Sequence, residues 1–256
     1  MSTTAVTQSF VDRSPQGKAR AAGLFWLLCI LGGSLAEYLG ARVVVFGDAA
    51  ATSAKILALE SSFRFGLAAE IAATACYLAA TLLVYELLKP VNRNLSLLAA
   101  SFSLVGCSSA AVSFLFHLAP LAVLGGASYL SVFSAEQLQA LALLFLKLRG
   151  QGSIVSFVFF GLHCFLVGYL VFRSTFLPRV VGALMMLAGL GWLTMSFANL
   201  LAPPLARALS GYFMATGALG EGSLTLWLLV MGVNVQRWKE RAGALANPAL
   251  IQSLAD

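Results

Sequence analysis

Six stretches of this chain are each long and apolar enough to cross a lipid bilayer, and together they make up most of its 256 residues. About 20 consecutive apolar residues span the roughly 30 Å hydrocarbon core of a bilayer. Only 10% of the residues are charged, whereas an ordinary soluble domain carries about 25%. The sequence therefore predicts an all-α polytopic membrane helical bundle with transmembrane spans at 21–45, 64–88, 95–124, 152–173, 179–201 and 208–233.

Polar segments flank these spans at both ends of the chain. We expect a polar N-terminal tail over residues 1–20, a six-helix transmembrane domain over 21–235 and a cytoplasmic C-terminal tail over 236–256. The first apolar run is longer than the hydrophobic region of a signal peptide, so it is interpreted as a retained helix. Pro90, Pro178, Pro203 and Pro204 fall between spans, where proline breaks no helical hydrogen bond, and Pro120 is expected to kink or end the third span.

Two connections between spans carry signals of short helices. Asp48 is placed to cap a helix over 48–63, and Ser134 with Gln137 has the spacing of a capping box that opens a helix over 134–149. Both segments are predicted to be interfacial helices on the outer face of the membrane. An alternative stays open, in which 128–149 is a seventh crossing and the C-terminus lies outside.

Basic residues predict the orientation. If the N-terminus is inside, the inner segments hold ten of the 16 Lys and Arg residues and the outer segments hold six. Basic residues favour cytoplasmic loops, so both termini are predicted to be cytoplasmic. The net charge of +6 is explained by these flanks, and no basic face with interleaved aromatic residues predicts nucleic-acid binding.

Four ionisable side chains are predicted to lie inside the membrane, where each charge costs about 2.5–3.5 kcal/mol and so requires an explanation. They are Glu37, Glu70, His163 and Glu221. Arg42 and Arg64 lie at depths suited to pairing with Glu37 and Glu70. We predict a ligand-binding polar pocket in the outer half of the membrane, formed by Glu37, Glu70, His163, Glu221, Arg64 and Asn199. The alternative is that each glutamate is neutral, or bonded to Ser, Thr, Tyr or Trp, and only orders the bundle.

Three of the glutamates follow a glycine by four residues, in the pairs Gly33–Glu37, Gly66–Glu70 and Gly217–Glu221. Helical side chains lean toward the N-terminus and cover the preceding turn. Each carboxylate is therefore predicted to lie over a glycine, where a neighbouring helix approaches closely and offers a hydrogen bond.

The sequence contains no pattern that predicts a cofactor, a metal site or a catalytic nucleophile. His117 is placed near the outer boundary and His163 near the middle, which is too far apart in depth to hold a haem together. No H-E-x-x-H and no G-x-S-x-G motif occurs. The four cysteines lie in apolar segments without C-x-x-C spacing and are interpreted as packing residues.

A set of short motifs is spread over roughly residues 20–235. They are AGL at 22–24, GDA at 47–49, KIL at 55–57, LLKPVNR at 87–93, FSAEQLQAL at 133–141, FGLHC at 160–164, GYL at 168–170, FRS at 172–174, LPR at 177–179 and SFAN at 196–199, followed by Glu221. In these motifs the chain resembles a bacterial family of multi-pass proteins known as domain of unknown function 4386. The resemblance implies a location in a bacterial inner membrane and a shared fold, and it carries over no activity and no catalytic residue.

Three hypotheses for the function stay open. The first is a protein that binds or moves a small ligand, ion or lipid through the outer polar pocket. The second is a non-catalytic accessory or sensor subunit that docks a membrane-protein partner or a second copy of itself. The third and least favoured is a membrane enzyme that acts on a lipid. All three require the lipid bilayer as the surrounding medium.

Overall fold

Long runs of apolar residues form long helices in the part of the chain that the structure describes. The structure, a computed structural model, describes residues 14–246. Residues 1–13 of the predicted N-terminal tail and 247–256 of the predicted C-terminal tail lie outside this range. The helices are α1 (Pro15–Ala41), α2 (Ala49–Ala58), α3 (Glu60–Leu88), α4 (Arg93–Leu124), α5 (Ala135–Arg173), α6 (Arg179–Leu201), α7 (Pro203–Val230) and α8 (Val235–Ala246).

Six of these helices, α1 and α3 to α7, are long and apolar enough to cross a membrane. Besides the eight α-helices, residues 14–246 contain one short 3-10 helix, Ser128–Leu130, and no β-strand. The predicted all-α polytopic fold with six spans is therefore confirmed, and the protein is membrane-embedded.

The described residues form two compact units. Unit 1 contains residues 14–27, 77–104 and 158–246, and unit 2 contains residues 28–76 and 105–157. Each unit contains one of the two polar clusters that are described below.

The predicted cap of α2 is present in unit 2, where the Asp48 side chain accepts a hydrogen bond of 2.8 Å from the backbone N–H of Ala51. The helix ends at Ala58, however, and not at Phe63 as predicted. Leu59 leaves helical geometry, with φ −115° and ψ 27°, and α3 begins at the next residue. Ile56 of α2 and Phe63 of α3 nevertheless join one apolar core with Val43 and Leu121.

The largest departure from the predicted elements is α5. Residues 134–149 and 152–173 were predicted as two helices, but the structure has one continuous helix of 39 residues. Its start carries the predicted capping box: Ser134 N–H donates to Gln137 Oε1 at 2.8 Å, and Gln137 N–H donates to Ser134 Oγ at 3.3 Å. A single continuous helix crosses once, so residues 128–149 are not a seventh span.

Glycine explains why α5 does not break. Gly150 and Gly152 lie in the middle of the helix, and no proline is present to remove a backbone donor. A Cβ at position 152 would collide with Ser113 Oγ on α4. Gly152 thus allows the continuous helix to lie directly against α4 in unit 2. At 1.5 Å per residue α5 is about 58 Å long, nearly twice the hydrocarbon thickness.

The other boundaries differ from the prediction by a few residues. Helix α1 begins at Pro15, so residues 15–20 of the predicted tail are helical, and it ends at Ala41, four residues before the predicted end. Pro203 and Pro204 occupy the first turn of α7 and do not lie outside it, because the first helical turn needs no backbone N–H donor. Pro120 lies inside α4, which ends four residues later at Leu124.

Glycines also bring α5 and α6 into backbone contact in unit 1. They recur every seven residues on each helix, at Gly161 and Gly168 on α5 and at Gly182 and Gly189 on α6. A Cβ at Gly189 would lie 2.5 Å from the Phe165 backbone nitrogen and 2.7 Å from the Gly161 carbonyl oxygen. This contact fixes the helix that carries Trp192, three residues after Gly189.

Candidate functional site

Two groups of polar side chains are held within the membrane-spanning helices. The first, in unit 2, consists of Glu37 of α1, Glu70 of α3, His117 of α4 and Arg149 of α5, and is called the carboxylate cluster. The second, in unit 1, consists of Trp26 of α1, Trp192 of α6 and Glu221 of α7, and is called the indole cluster. Charged and polar groups at such positions mark functional sites by default, because hydrocarbon offers them no solvation.

Arg149 is the centre of the carboxylate cluster. Its Nη2 lies 2.9 Å from both carboxylate oxygens of Glu70 and 3.6 Å from Oε1 of Glu37. The side chains of Arg149 and Glu70 are only 16% and 19% exposed. Their contact is therefore a charge-assisted pair largely removed from solvent.

Glu37 is bound less tightly than Glu70. Its side chain is 76% exposed, and at 3.6 Å its contact with Arg149 is an ion pair longer than a hydrogen bond. One guanidinium thus faces two carboxylates, of which one is largely buried and the other is open to the surroundings. With a neutral histidine the cluster carries a net charge of −1, from two carboxylates and one guanidinium.

His117 completes this cluster from α4 and is almost fully buried, with 4% of its side chain exposed. Its ring packs against the ring of Phe63 at a tilt of 31°, with the centroids 4.2 Å apart, and its Nε2 lies 3.2 Å from the Phe63 carbonyl oxygen. A carbonyl oxygen only accepts hydrogen bonds, so Nε2 carries the proton in this contact. In a neutral ring, Nδ1 is then an acceptor. It has no hydrogen-bond partner among residues 14–246 and faces Glu70 Oε2 at 4.0 Å.

The predicted partners of the two acidic residues are wrong. Arg64 donates through Nε to Glu60 at 2.7 Å, one helical turn earlier on α3, because an i,i+4 partner on the same helix is always within reach. Arg42 lies over the ring of Tyr38, 5.9 Å from its centroid. Glu37 and Glu70 instead share Arg149, which the prediction placed at the end of a separate surface helix.

In the indole cluster, the carboxylate of Glu221 accepts hydrogen bonds from two neutral indole N–H groups. Trp192 Nε1 donates to Glu221 Oε1 at 2.7 Å, and Trp26 Nε1 donates to Glu221 Oε2 at 3.2 Å. No basic side chain of the described chain makes an ion pair with Glu221. Three helices are thereby tied together through one carboxyl group.

Aromatic residues surround the indole cluster. Trp26 meets the Tyr77 ring edge-on at 5.6 Å and lies 6.2 Å from the His163 ring. His163 Nδ1 lies 2.8 Å from the Ala99 carbonyl oxygen, and its Nε2 is buried without a hydrogen-bond partner in residues 14–246. His163 is thus anchored to α4 by a backbone bond.

The structure brings together only some of the residues that the sequence singled out. Glu37 and Glu70 belong to the carboxylate cluster of unit 2, whereas Glu221 and His163 belong to unit 1. Asn199 donates to the Met195 carbonyl of its own helix at 2.9 Å. Arg149 and His117 join the site although neither was predicted in it. The signal for Arg149 was its place three residues before an apolar span, with no proline between.

The predicted close approach of a neighbouring helix at the glycine, with a hydrogen bond to the glutamate, is found in one of the three cases. A Cβ at Gly217 would lie 2.5 Å from the ring of Trp192, the donor to Glu221, and a Cβ at Gly66 would lie 3.5 Å from Leu39 Cβ on α1. At Gly33 no neighbouring atom lies within 4 Å of that position. The prediction therefore holds for Glu221. At Gly66 the contact is an ordinary one and the donor to Glu70 is Arg149 of α5, and the prediction is wrong for Glu37.

No group of three or more His, Cys, Asp or Glu side chains within residues 14–246 is arranged to hold a metal ion. Of the two clusters, only the carboxylate cluster contains both a charged residue open to the surroundings and a buried acceptor without a donor.

Comparison with known proteins gives a family and no activity. A family described as "Domain of unknown function (DUF4386)" matches residues 21–232. An uncharacterized protein of Archaeoglobus fulgidus is 28% identical over 153 residues, which are 58% of this chain and 72% of that protein. No solved structure matches the chain significantly.

Proposed function

The chain belongs to the DUF4386 family, whose description assigns no activity, and from the carboxylate cluster we propose that this membrane protein binds a small monovalent cation there, inorganic or organic. The main observation behind the proposal is that Arg149 lies closer to Glu70 than to Glu37. Its Nη2 lies 2.9 Å from the buried Glu70 but 3.6 Å from Glu37, which is 76% exposed.

The net charge of the cluster explains why the proposed ligand is positively charged. Glu37, Glu70 and Arg149 sum to −1, and a group of net charge inside a membrane protein is stabilised by an opposite charge. An anion would have to compete with Glu70 for Arg149 and would raise the negative charge to −2. A monovalent cation at Glu37 brings the cluster to zero and leaves the Arg149–Glu70 pair intact.

The position of Glu37 supports ligand entry from one end of the bundle. Glu37 precedes the last residue of α1, Ala41, by four positions, or about 6 Å along the helix. The neighbouring connection contains Gly47, with φ +77°, and leads to the capped start of α2. A ligand reaching Glu37 from this end has only a short path to travel beside α1.

We propose further that this end faces the outside of a bacterial inner membrane and that both termini are cytoplasmic. The support is the distribution of charge at the opposite ends of the spans. Exposed basic side chains flank the start of α1, the α3–α4 and α5–α6 turns and helix α8, at Arg20, Arg93, Arg173, Arg179, Arg237, Lys239 and Arg241. Such residues favour the cytoplasmic side.

Thermal unfolding of the purified protein in lipid nanodiscs tests the proposed binding. The panel comprises monovalent metal ions, ammonium and small primary amines, each as the same salt, with sodium acetate, phosphate and sulfate as anion contrasts. A cation present at 100 times its Kd is expected to stabilise the folded state by about 2.7 kcal/mol. Glu37→Gln is expected to abolish the shift, because it removes the uncompensated charge.

Glu60→Gln is the matched control. Glu60 is also an acidic residue of unit 2, with 45% of its side chain exposed, but it is paired with Arg64 at 2.7 Å. Its variant is expected to keep the ligand response of the wild type. Stabilisation by anions alone, or equal loss of the response in both variants, would refute a cation site at Glu37.

A further inference from the structure

We infer that the carboxylate cluster is also a proton site, in which His117 Nδ1 and Glu70 Oε2 take up one proton that a bound cation displaces. This inference rests on the proposed function, because it assigns a proton in exchange for the cation. It would make ligand binding at this site a one-for-one exchange of cation and proton.

The first observation is the hydrogen bond of His117 to Phe63, which determines which ring nitrogen carries the proton. The Phe63 carbonyl oxygen accepts from Nε2 at 3.2 Å, and the imidazole packs against the ring of the same residue. The hydrogen bond fixes the tautomer, and the bond and the ring contact together fix the orientation of the imidazole. Nδ1 of the neutral ring consequently presents a lone pair to its surroundings.

The second observation concerns the atom nearest to the lone pair of Nδ1. Glu70 Oε2 lies 4.0 Å away, so in the neutral ring a lone pair of nitrogen faces a carboxylate oxygen. The distance is too long for a hydrogen bond, and neither atom can donate one without an added proton. A proton on Nδ1 turns this contact into a charge-assisted pair after a closure of about 1 Å.

The surrounding charges set how many protons the cluster takes up. His117 faces Glu70 from α3 and Arg149 from α5, and Glu37 of α1 is joined to it through Arg149. The other charged side chains of unit 2 make no ion pair with these four residues, in the part of the chain that the structure describes: Arg42, Asp48, Lys55, Glu60, Arg64, Glu136 and Lys147. The net charge of −1 is neutralised by one proton, and a second would make the cluster positive.

Competition follows from this charge balance. The proton at His117 and a cation at Glu37 neutralise the same single negative charge. Binding of the cation favours release of the proton from Nδ1 to the solvent, and acidification favours the reverse. Only the Nδ1–H bond of His117 breaks or forms, water accepts or supplies the proton, and the exchange is electroneutral.

Isothermal titration calorimetry of the nanodisc protein, with a cation that stabilises it in the panel above, tests the exchange. Titrations in buffers of different ionisation enthalpy, at the same pH, give the number of protons released per ligand. We expect a value approaching one in the acidic range, with affinity falling about tenfold per pH unit there. His117→Gln keeps an N–H donor for the Phe63 carbonyl but cannot titrate, so it is expected to bind without releasing a proton.

His163→Gln provides the matched control, because His163 is an equally buried histidine that also bonds a backbone carbonyl. Its proton count is expected to equal that of the wild type. Cation binding by the wild type with no released proton and no pH dependence would overturn the exchange and leave the proposed function standing.

A second measurement separates the two proposals if no cation binds. Nitrogen-15 spectra of the histidine side chains, recorded against pH in the ligand-free protein, report the protonation of His117 directly. A ring that keeps Nδ1 unprotonated down to the pH at which the protein unfolds would overturn the proton site. Uptake of a proton that Glu70→Gln abolishes would support it, even where the cation proposal has failed.

Discussion

Replacement of Gly189 by alanine tests how closely α5 and α6 must approach. The added Cβ would lie 2.5 Å from the Phe165 backbone nitrogen and 2.7 Å from the Gly161 carbonyl oxygen, whereas ordinary contacts begin at 3.4 Å. Both obstructing atoms belong to a helix backbone and cannot rotate away, so the helices must part by about 1 Å. A gap of that size forfeits roughly a quarter to a half of each dispersion contact along the interface.

We expect Gly189→Ala to destabilise the protein by about 3 kcal/mol, at the upper end of the overpacking range. The opposing gain from replacing a helical glycine is only about 0.5–1 kcal/mol. Equilibrium unfolding in mixed micelles of increasing SDS fraction, followed by tryptophan fluorescence, measures the difference in stability.

Gly222→Ala is the control for this substitution. Gly222 lies in α7 of the same unit, and no neighbouring atom lies within 4 Å of its Cβ position. Its alanine variant is expected to be as stable as the wild type or more stable by up to about 1 kcal/mol. If Gly189→Ala also unfolds at the wild-type SDS fraction, the inferred backbone contact between α5 and α6 is wrong.

Two further predictions concern the hydrogen bonds of unit 1. Glu221→Gln turns one acceptor into a donor that faces an indole N–H, so it is expected to cost about 1–3 kcal/mol of stability in the same unfolding assay. Trp192→Phe should remove most of that cost in the double variant, and additive effects would contradict the proposed bond. Trp238→Phe removes the 2.9 Å bond from Nε1 to the Leu87 carbonyl, so α8 is expected to be cut several-fold faster by trypsin. A cleavage rate equal to that of wild type would show that the bond does not hold α8.

Many helix boundaries can be predicted from the lengths of the apolar runs and from the positions of the prolines. Helix α6 begins and ends at the predicted residues 179 and 201, because Pro178 stops a helix from extending backward and the Pro203–Pro204 pair follows its end. Helix α4 ends at the predicted residue 124. These boundaries depend on the local backbone, which the sequence specifies directly.

Helix α5 was mispredicted because its continuity depends on a partner. The Gly150–Gln151–Gly152 segment resembles a break when it is considered alone. In the folded protein, Gly152 is the point at which α5 meets Ser113 of α4, and this packing overrides the low helix propensity of glycine. Nothing within residues 134–173 indicates that Ser113 lies opposite.

The carboxylate cluster was only half predicted for a related reason. Hydropathy identified Glu37 and Glu70 as charges that are costly in a membrane, but it does not predict which basic side chain pairs with them. Arg64 lay at a predicted depth suited to pairing, but its guanidinium binds Glu60 on the same helix. Arg149 lies on the continuous helix α5, whereas the prediction placed it at the end of a separate surface helix and did not consider it as a partner of Glu70.

The two clusters solve the problem of a carboxylate in a membrane in different ways, and the difference bears on which one binds a ligand. Both oxygens of Glu221 already accept an indole N–H. A ligand there would have to displace at least one indole and separate helices that the bond joins. At Glu37 the carboxylate is 76% exposed and the guanidinium of Arg149 lies 3.6 Å away, so a ligand there need not break a short hydrogen bond. The ordering role that the sequence left open for all the glutamates therefore fits Glu221, and the binding role fits the carboxylate cluster.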